Sequence, residues 1–600
     1  MRSLAEIKFR ARQELANLLL TARPPELPAF QSSRLLLPDT SSIVASLRSS
    51  EYAQSVQWIA EEILAHKFPL VGLTVNTGKD IHWRRDYIHG VETPPTYFRR
   101  IPYLDFARVG DHKIIWELNR HQHLVLLAQA YLFTGNEEYK IEIFNQIKGW
   151  LQHNPFQRGI NWASALEVAF RMLSWIWIYH FVGAEMPDAF QRKFLTELYR
   201  HALHLSENLS VYFSPNTHLL GEAVALHAVG TLFPNFPHAH EWRERGLSLV
   251  EAQLEFQVQN DGSHFEQSSY YHIYALDFFV FSYLLADRPR HWNPALTKMA
   301  DYLHWLLGPA GRITFWGDDD GGRLFHPYGD RAEFGRATLT TCGILFAREE
   351  WIESQQAIAE QAIWWLGADC IPATVRDSWR PVTGSRAFAQ SGLTFLQAGD
   401  LFLQMDCGAL GYGGAGHSHS DCLSIALQLA GEPVFIDAGT FTYVGNAAER
   451  TWFRGSRAHN TVCIDGLDQG TQAGPFRWST KPEVKLVDFQ PAEGRIEATC
   501  RYSGFLHRRK VHLDSQNLTV TDQIDGPPGE HVSEQIWQLG PASARVSLSF
   551  SADPVWQASK VSPAYGIKKR GESLIVTVKD ALPITIVMRL SINGPVPSSR

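Results

Sequence analysis

The hydrophobic period of this 600-residue chain changes once, and that change limits the folds open to it. Up to about residue 370, apolar residues recur every three or four positions, as in "NWASALEVAFRMLSWIWIYHFVG" and "THLLGEAVALHAVGTLFP", with breaks at turn formers such as "TGN" and "NP". Roughly a dozen such segments joined by short polar turns predict paired helices stacked as a solenoid or toroid. After about residue 380 the period becomes two. "GLTFLQAGDLFLQMDCG", "RIEATCRYSG" and "SLIVTVKDALPITIVMRLSI" read as short strands between Gly, Asp, Asn and Pro turns, the pattern of an antiparallel β-sandwich. The expected organisation is multidomain α + β: a helical domain over 1–372, a linker over 373–386 ending in "RPVTGSR", and an antiparallel β-sandwich over 387–600.

Composition narrows the partners. A net charge of −7 without a basic block argues against nucleic acid, whose phosphates require a cationic surface. A polyanionic substrate would need a local basic cleft. Aromatics make up 12% of residues, including 19 Trp, which suits both stacking on sugar rings and a large helical core. The six cysteines form no CxxC pair, so a zinc ribbon is not expected. No stretch reaches 18 uninterrupted apolar residues, so no membrane span is expected. The start, "MRSLAEIKFRARQELANLLL", reads as an amphipathic helix and lacks signal-peptide features. As written the chain reads as cytoplasmic, or as periplasmic or secreted if a leader has been removed. The sequence gives no oligomeric state.

In "GGAGHSHSDCLSIAL" (413–427), His417 and His419 alternate after a glycine-rich loop and would share one side of an extended segment. Two such imidazoles suit a metal half-site, an acid/base device, or both. Together with "KIIWELNRHQHL" (113–124), "SPNTHLLGEA" (214–223), "DGSHFEQSSYYHIYALD" (261–277) and "ERTWFRGSRAHNTVCIDGLDQ" (449–469), this stretch resembles the heparinase II/III family of polysaccharide lyases, over roughly 110–470. The resemblance implies an N-terminal (α/α) toroid, a C-terminal antiparallel β-sandwich, and cleavage of uronate-containing polysaccharides by β-elimination. The implied substrates are glycosaminoglycans of the heparin/heparan sulfate, hyaluronan or chondroitin type, with alginate as the alternative.

Such chemistry removes the C5 proton of a uronate and expels the C4 glycosidic oxygen. The site must hold the uronate carboxylate and stabilise the enolate-like intermediate. It also needs a base at C5 and an acid at the leaving oxygen. The resemblance puts Asn216 at the carboxylate, with His218 beside it; Asn216 also reads as a helix N-cap. Tyr270 is the expected acid, and either Tyr270 or His417 the base, according to which face of the uronate carries the C5 proton. His419, Asp437 and His459 are the implied ligands of one structural divalent metal, zinc by donor type with manganese as the alternative. Expected substrate contacts are Arg120, Trp116, Glu266, Trp452, Arg454 and Arg457. The three aspartates of "FWGDDDGGRLF" (315–325) read as a turn with capping carboxylates. A rival reading is a glycoside hydrolase pairing Glu266 with Asp318 or Asp319; a second is a non-catalytic polysaccharide-binding protein.

Overall fold

A computed structural model of the protein describes residues 3–28, 35–372, 375 and 379–593. Of the expected 373–386 linker, residues 373, 374 and 376–378 lie outside the described residues.

Two kinds of helix alternate along the first part of the chain. Helices Gln122–Thr134, Ala165–Val182, Thr217–Leu232 and Ser269–Leu285 are buried along almost their whole length. Each is apolar on every side, so each must be covered all round. The helices between them, Glu137–His153, Asp188–Glu207, Ala239–Gln257 and Asn293–Leu307, bury one stripe and leave the other face wet. The fully apolar helices pack side by side as an inner ring, and the amphipathic ones cover them outside. One crossing depends on glycine: a Cβ on Gly230 would strike the Arg243 backbone, and one on Gly246 the His227 backbone. The region also contains two short antiparallel hairpins within 67–92 that helical periodicity did not reveal.

The paired strands of the second part are antiparallel, in three principal sheets of five, six and four strands. The five-stranded sheet, from Arg386–Ala387 to Glu432–Phe435, is a meander buried on both faces. Phe395, Phe402 and Ala426 join the helical core. Leu396, Leu401, Leu403 and Leu427 face the core shared with the other two sheets. This sheet mortars the halves together, and loops from both meet along the seam. None of the described helices is long and apolar enough to cross a membrane.

One inner-ring helix carries a buried acid. Glu222 accepts bonds from the backbone N–H and the hydroxyl of Ser210, both at 2.6 Å, tying down the segment that leads into Asn216. Burial raises its carboxyl from the ordinary 4.5 to about 8, because the two Ser210 bonds only partly offset desolvation. The unfolded chain releases this proton first, so its contribution to stability is full below pH 4.5 and is lost as pH rises towards 8. In urea titrations at pH 5 and pH 9, Glu222→Gln is expected to remove on the order of 3 kcal/mol of the wild-type loss across that interval. An equal loss in the variant would contradict this.

Candidate functional site

A cleft of about 610 Å³ opens at the seam. The helical part contributes side chains from the segments 162–170 and 208–218 together with Phe265, Glu266, Tyr271, Tyr274 and Phe278, and the sheet part supplies the glycine-rich loop 412–417, Tyr443 and the 476–477 turn.

Asn216 lines this cleft as the N-cap of Thr217–Leu232, so its functional and capping readings coexist. Its Oδ1 accepts from the His218 N–H at 3.1 Å, and its Nδ2 donates to Glu266 at 2.5 Å. The Thr217 hydroxyl also bonds Glu266. His218 lines the cleft as a neutral ring, its pKa lowered to about 4 by burial and by nearby His417.

Of the two adjacent tyrosines, the structure puts Tyr271, and not the expected Tyr270, on the cleft. Tyr270 does not line the cleft; it is 1% exposed, packs beside Tyr274 and Phe315, and its hydroxyl has no hydrogen-bond partner. Its neighbour Tyr271 lines the cleft and stacks on His417, with ring centroids 3.9 Å apart. Adjacent helical residues point about 100° apart, so only one of the two can face the opening. The Tyr271 hydroxyl lies 3.2 Å from that of Tyr443 and 3.3 Å from Asp320. Burial, then the Asp320 carboxylate, holds the Tyr271 phenol well above its usual range, so it stays protonated.

Asp318, the first residue of the triple aspartate, organises the two histidines. Burial alone would raise its carboxyl, but the Arg450 guanidinium grips both oxygens and, with bonds from His417 and His419, holds it well below the carboxylate range. An ionised carboxylate only accepts hydrogen bonds. His417 therefore donates through Nδ1 at 3.1 Å and His419 through Nε2 at 2.9 Å. The ring nitrogens not held by Asp318 are opposite ones. Nε2 of His417 lies on the Glu266 side, 3.6 Å from its carboxylate, and His417 lines the cleft. Nδ1 of His419 is buried and unpartnered.

That nitrogen belongs to a second cluster. Donor atoms of His419, Asp437 and His459 lie within 4.8 Å of one another. Asp437 accepts from His459 Nδ1 at 2.7 Å, which leaves His459 Nε2 buried without a partner. Two orphaned imidazole nitrogens beside a carboxylate fit a divalent cation.

The triple aspartate caps its own turn, as the Gly321 and Gly322 N–H groups bond Asp319 and Asp320. It is also more than a turn, because each carboxylate meets a cation: Arg450 at Asp318, Arg331 at Asp319 and Lys113 at Asp320. Neither Asp318 nor Asp319 lines the cleft, so the hydrolase pairing with Glu266 is not assembled there.

The remaining expected contacts divide. Trp116 and Arg120 line the cleft, although the Arg120 guanidinium is engaged by Glu117 and Glu167 and the Trp116 indole N–H by the Ile160 carbonyl. Trp452, Arg454 and Arg457 do not line it. Trp452 packs on Phe453 beneath Lys560. Arg454 is fully buried and bonds the Gly474 and Pro475 carbonyls. Arg457 is paired with Glu534 on the surface. Tyr271, Tyr443 and Arg450 were not among the expected site residues, and Asp318 entered only through the hydrolase reading. One signal was present: Tyr271, Tyr274 and Phe278 form an i, i+3, i+7 stripe, and all three line the cleft.

Comparison with known proteins agrees with this architecture. A crystal structure of heparinase III superimposes with a TM-score of 0.71 at 18% identity, covering 98% of this chain and 91% of that one. Heparin-sulfate lyases of Bacteroides stercoris and Pedobacter heparinus are 24% and 26% identical over 515 and 503 residues. These alignments cover 80% of this chain in both cases, and 70% and 68% of the relatives. Residues 30–300 match the family description "Heparinase II/III N-terminus" and residues 380–584 match "Heparinase II/III-like, C-terminal". The chain belongs to the heparinase II/III family.

Proposed function

We propose that the protein is a polysaccharide lyase that cleaves uronate-containing glycosaminoglycans by β-elimination, with Asn216, Tyr271 and His417 as its reacting groups. The observation carrying this reading is that an amide, a phenol and an imidazole held through Nδ1 by Asp318 line one cleft. The relatives named heparin-sulfate lyase support the substrate class.

Asn216 keeps one amide hydrogen beyond its bond to Glu266 and can offer it to the uronate carboxylate. Neutral His218, two residues on in the same first turn, can add a second uncharged contact. His417, held through Nδ1 by Asp318, takes the C5 proton on Nε2. Tyr271 delivers its proton to the departing C4 oxygen. Burial and Asp320 disfavour the phenolate that a tyrosine base would require, which supports dividing the two jobs between Tyr271 and His417. A base and an acid of this kind each contribute about 10²–10⁴-fold; hydrogen bonding to the developing enolate supplies much of the rest.

The His419, Asp437 and His459 cluster fits zinc, with manganese as the alternative. When bound, the ion would supply a structural cross-link within the sheet region. The elimination is assigned to Asn216, Tyr271 and His417 alone.

An ultraviolet assay for unsaturated uronide, run on heparan sulfate, heparin, hyaluronan, chondroitin and alginate, tests the reaction. Tyr271→Phe and His417→Ala are each expected to lose at least about 10²-fold in kcat, while Tyr270→Phe stays within about threefold of wild type. Saturated products, or loss in Tyr270→Phe with Tyr271→Phe active, would contradict the assignment. Elemental analysis tests the metal: one divalent ion per chain in wild type and none in His459→Ala. A chelator should lower the wild-type Tm and leave that variant's Tm unmoved; a metal-free wild type would contradict the site.

A further inference from the structure

Five lysine and arginine side chains line the cleft: Arg10, Arg99, Lys113, Arg120 and Arg477. A polyanion requires cations that are not already neutralised. Arg10 pairs with Glu6 and Arg99 with Glu14, each at 2.8 Å. Lys113 bonds Glu117 and Asp320, and Arg120 bonds Glu117 and Glu167. Arg477 alone among the five has no carboxylate within ion-pair distance and no side-chain hydrogen bond among the described residues. It is exposed at the cleft lip.

Its position is set by a stiff support. Arg450, the residue that grips Asp318, also donates to the Pro475 carbonyl at 2.8 and 3.0 Å. Buried Arg454 donates to the Gly474 and Pro475 carbonyls, each at 3.0 Å. On the other side, the Trp478 N–H bonds the Gly414 carbonyl at 2.9 Å, and its indole N–H bonds the Ser418 carbonyl at 2.9 Å. The turn carrying Arg477 is thus fastened to the loop that carries His417. Phe476 meets the His417 ring edge-on at 6.2 Å. A free guanidinium on a pinned turn beside the reacting histidine loses little freedom when it closes on an anion.

We infer that Arg477 is a specificity-determining residue, binding an anionic substituent on a sugar adjacent to the uronate that is cleaved. This inference rests on the proposed polysaccharide reading. A sulfate ester and a second uronate carboxylate share the required chemistry, a planar or tetrahedral oxyanion that takes paired N–H donors. Arg477 touches substrate away from the reacting atoms, so its loss raises KM and leaves kcat nearly unchanged.

The test measures kcat and KM for wild type, Arg477→Ala, Arg477→Lys and Arg457→Ala on N-sulfated heparan sulfate and on its fully desulfated, N-acetylated counterpart. Calorimetric binding of both polymers is measured alongside, at two salt concentrations. Arg457→Ala removes an arginine outside the cleft and controls for net charge. Arg477→Ala is expected to raise KM and Kd about tenfold at low salt, with a smaller effect at high salt. Arg477→Lys should fall between the two, and Arg457→Ala should match wild type. An effect confined to the sulfated polymer assigns sulfate, and an equal effect on both assigns carboxylate. Unchanged KM and Kd in Arg477→Ala, or the same shift in Arg457→Ala, overturns the inference. Binding weakened by Arg477→Ala in a protein that turns over neither polymer would sink the lyase reading and leave the anion contact standing. A wild type that binds neither polymer overturns both.

Discussion

One buried carboxylate, Asp318, gives two nearly adjacent histidines different chemistry. Left in a common setting, His417 and His419 would be equivalent imidazoles on one short segment. Asp318 accepts from Nδ1 of the first and Nε2 of the second, so the nitrogen left over is Nε2 in one ring and Nδ1 in the other. The first ring lines the cleft, and the second turns its remaining nitrogen into the cluster with Asp437 and His459. Removing the partner of a buried charge costs about 3–5 kcal/mol, so the arrangement depends on Arg450 as much as on Asp318. Arg450 comes from the sheet part and Asp318 from the loop between helices Asn293–Leu307 and Phe334–Leu345 of the helical part, which makes the ion pair a bolt across the seam.

The same economy extends along the triple aspartate. Each carboxylate of Asp318, Asp319 and Asp320 faces a different cation from a different part of the chain. Asp320 reaches both Lys113 and the Tyr271 hydroxyl, so the charge that keeps the phenol protonated is itself held by an ion pair. Most cleft cations are neutralised by these and neighbouring pairs. A negative substrate therefore meets a surface of hydrogen-bond donors with little uncommitted positive charge, a setting that favours orientation over sheer attraction.

Much of this was legible in the sequence. The switch from helical to alternating periodicity separated the two parts, and the family resemblance brought Asn216, His218, Glu266 and His417 to one cleft and His419, Asp437 and His459 to one cluster. The differences in placement have physical causes. Tyr270 and Tyr271 differ by one step of a helix buried on every side, where hydrophobicity cannot tell the cleft face from the core face. Arg454 and Arg457 sit in the expected stretch, but the short helix Ala447–Arg454 turns Arg450 inward and leaves Arg457 on the surface. The aspartate run read as a turn because its partners lie about 10 to more than 200 residues away in sequence, beyond any local pattern.

The ring-nitrogen ¹⁵N spectrum of histidine-labelled protein tests the role of Asp318 most directly, with His417→Gln and His419→Gln used to assign the two rings. The account predicts neutral rings of opposite tautomer: His417 protonated on Nδ1 and bare on Nε2, His419 protonated on Nε2 and bare or metal-bound on Nδ1. A His417 ring protonated on Nε2 in the resting protein, or two rings in the same tautomer, would contradict it.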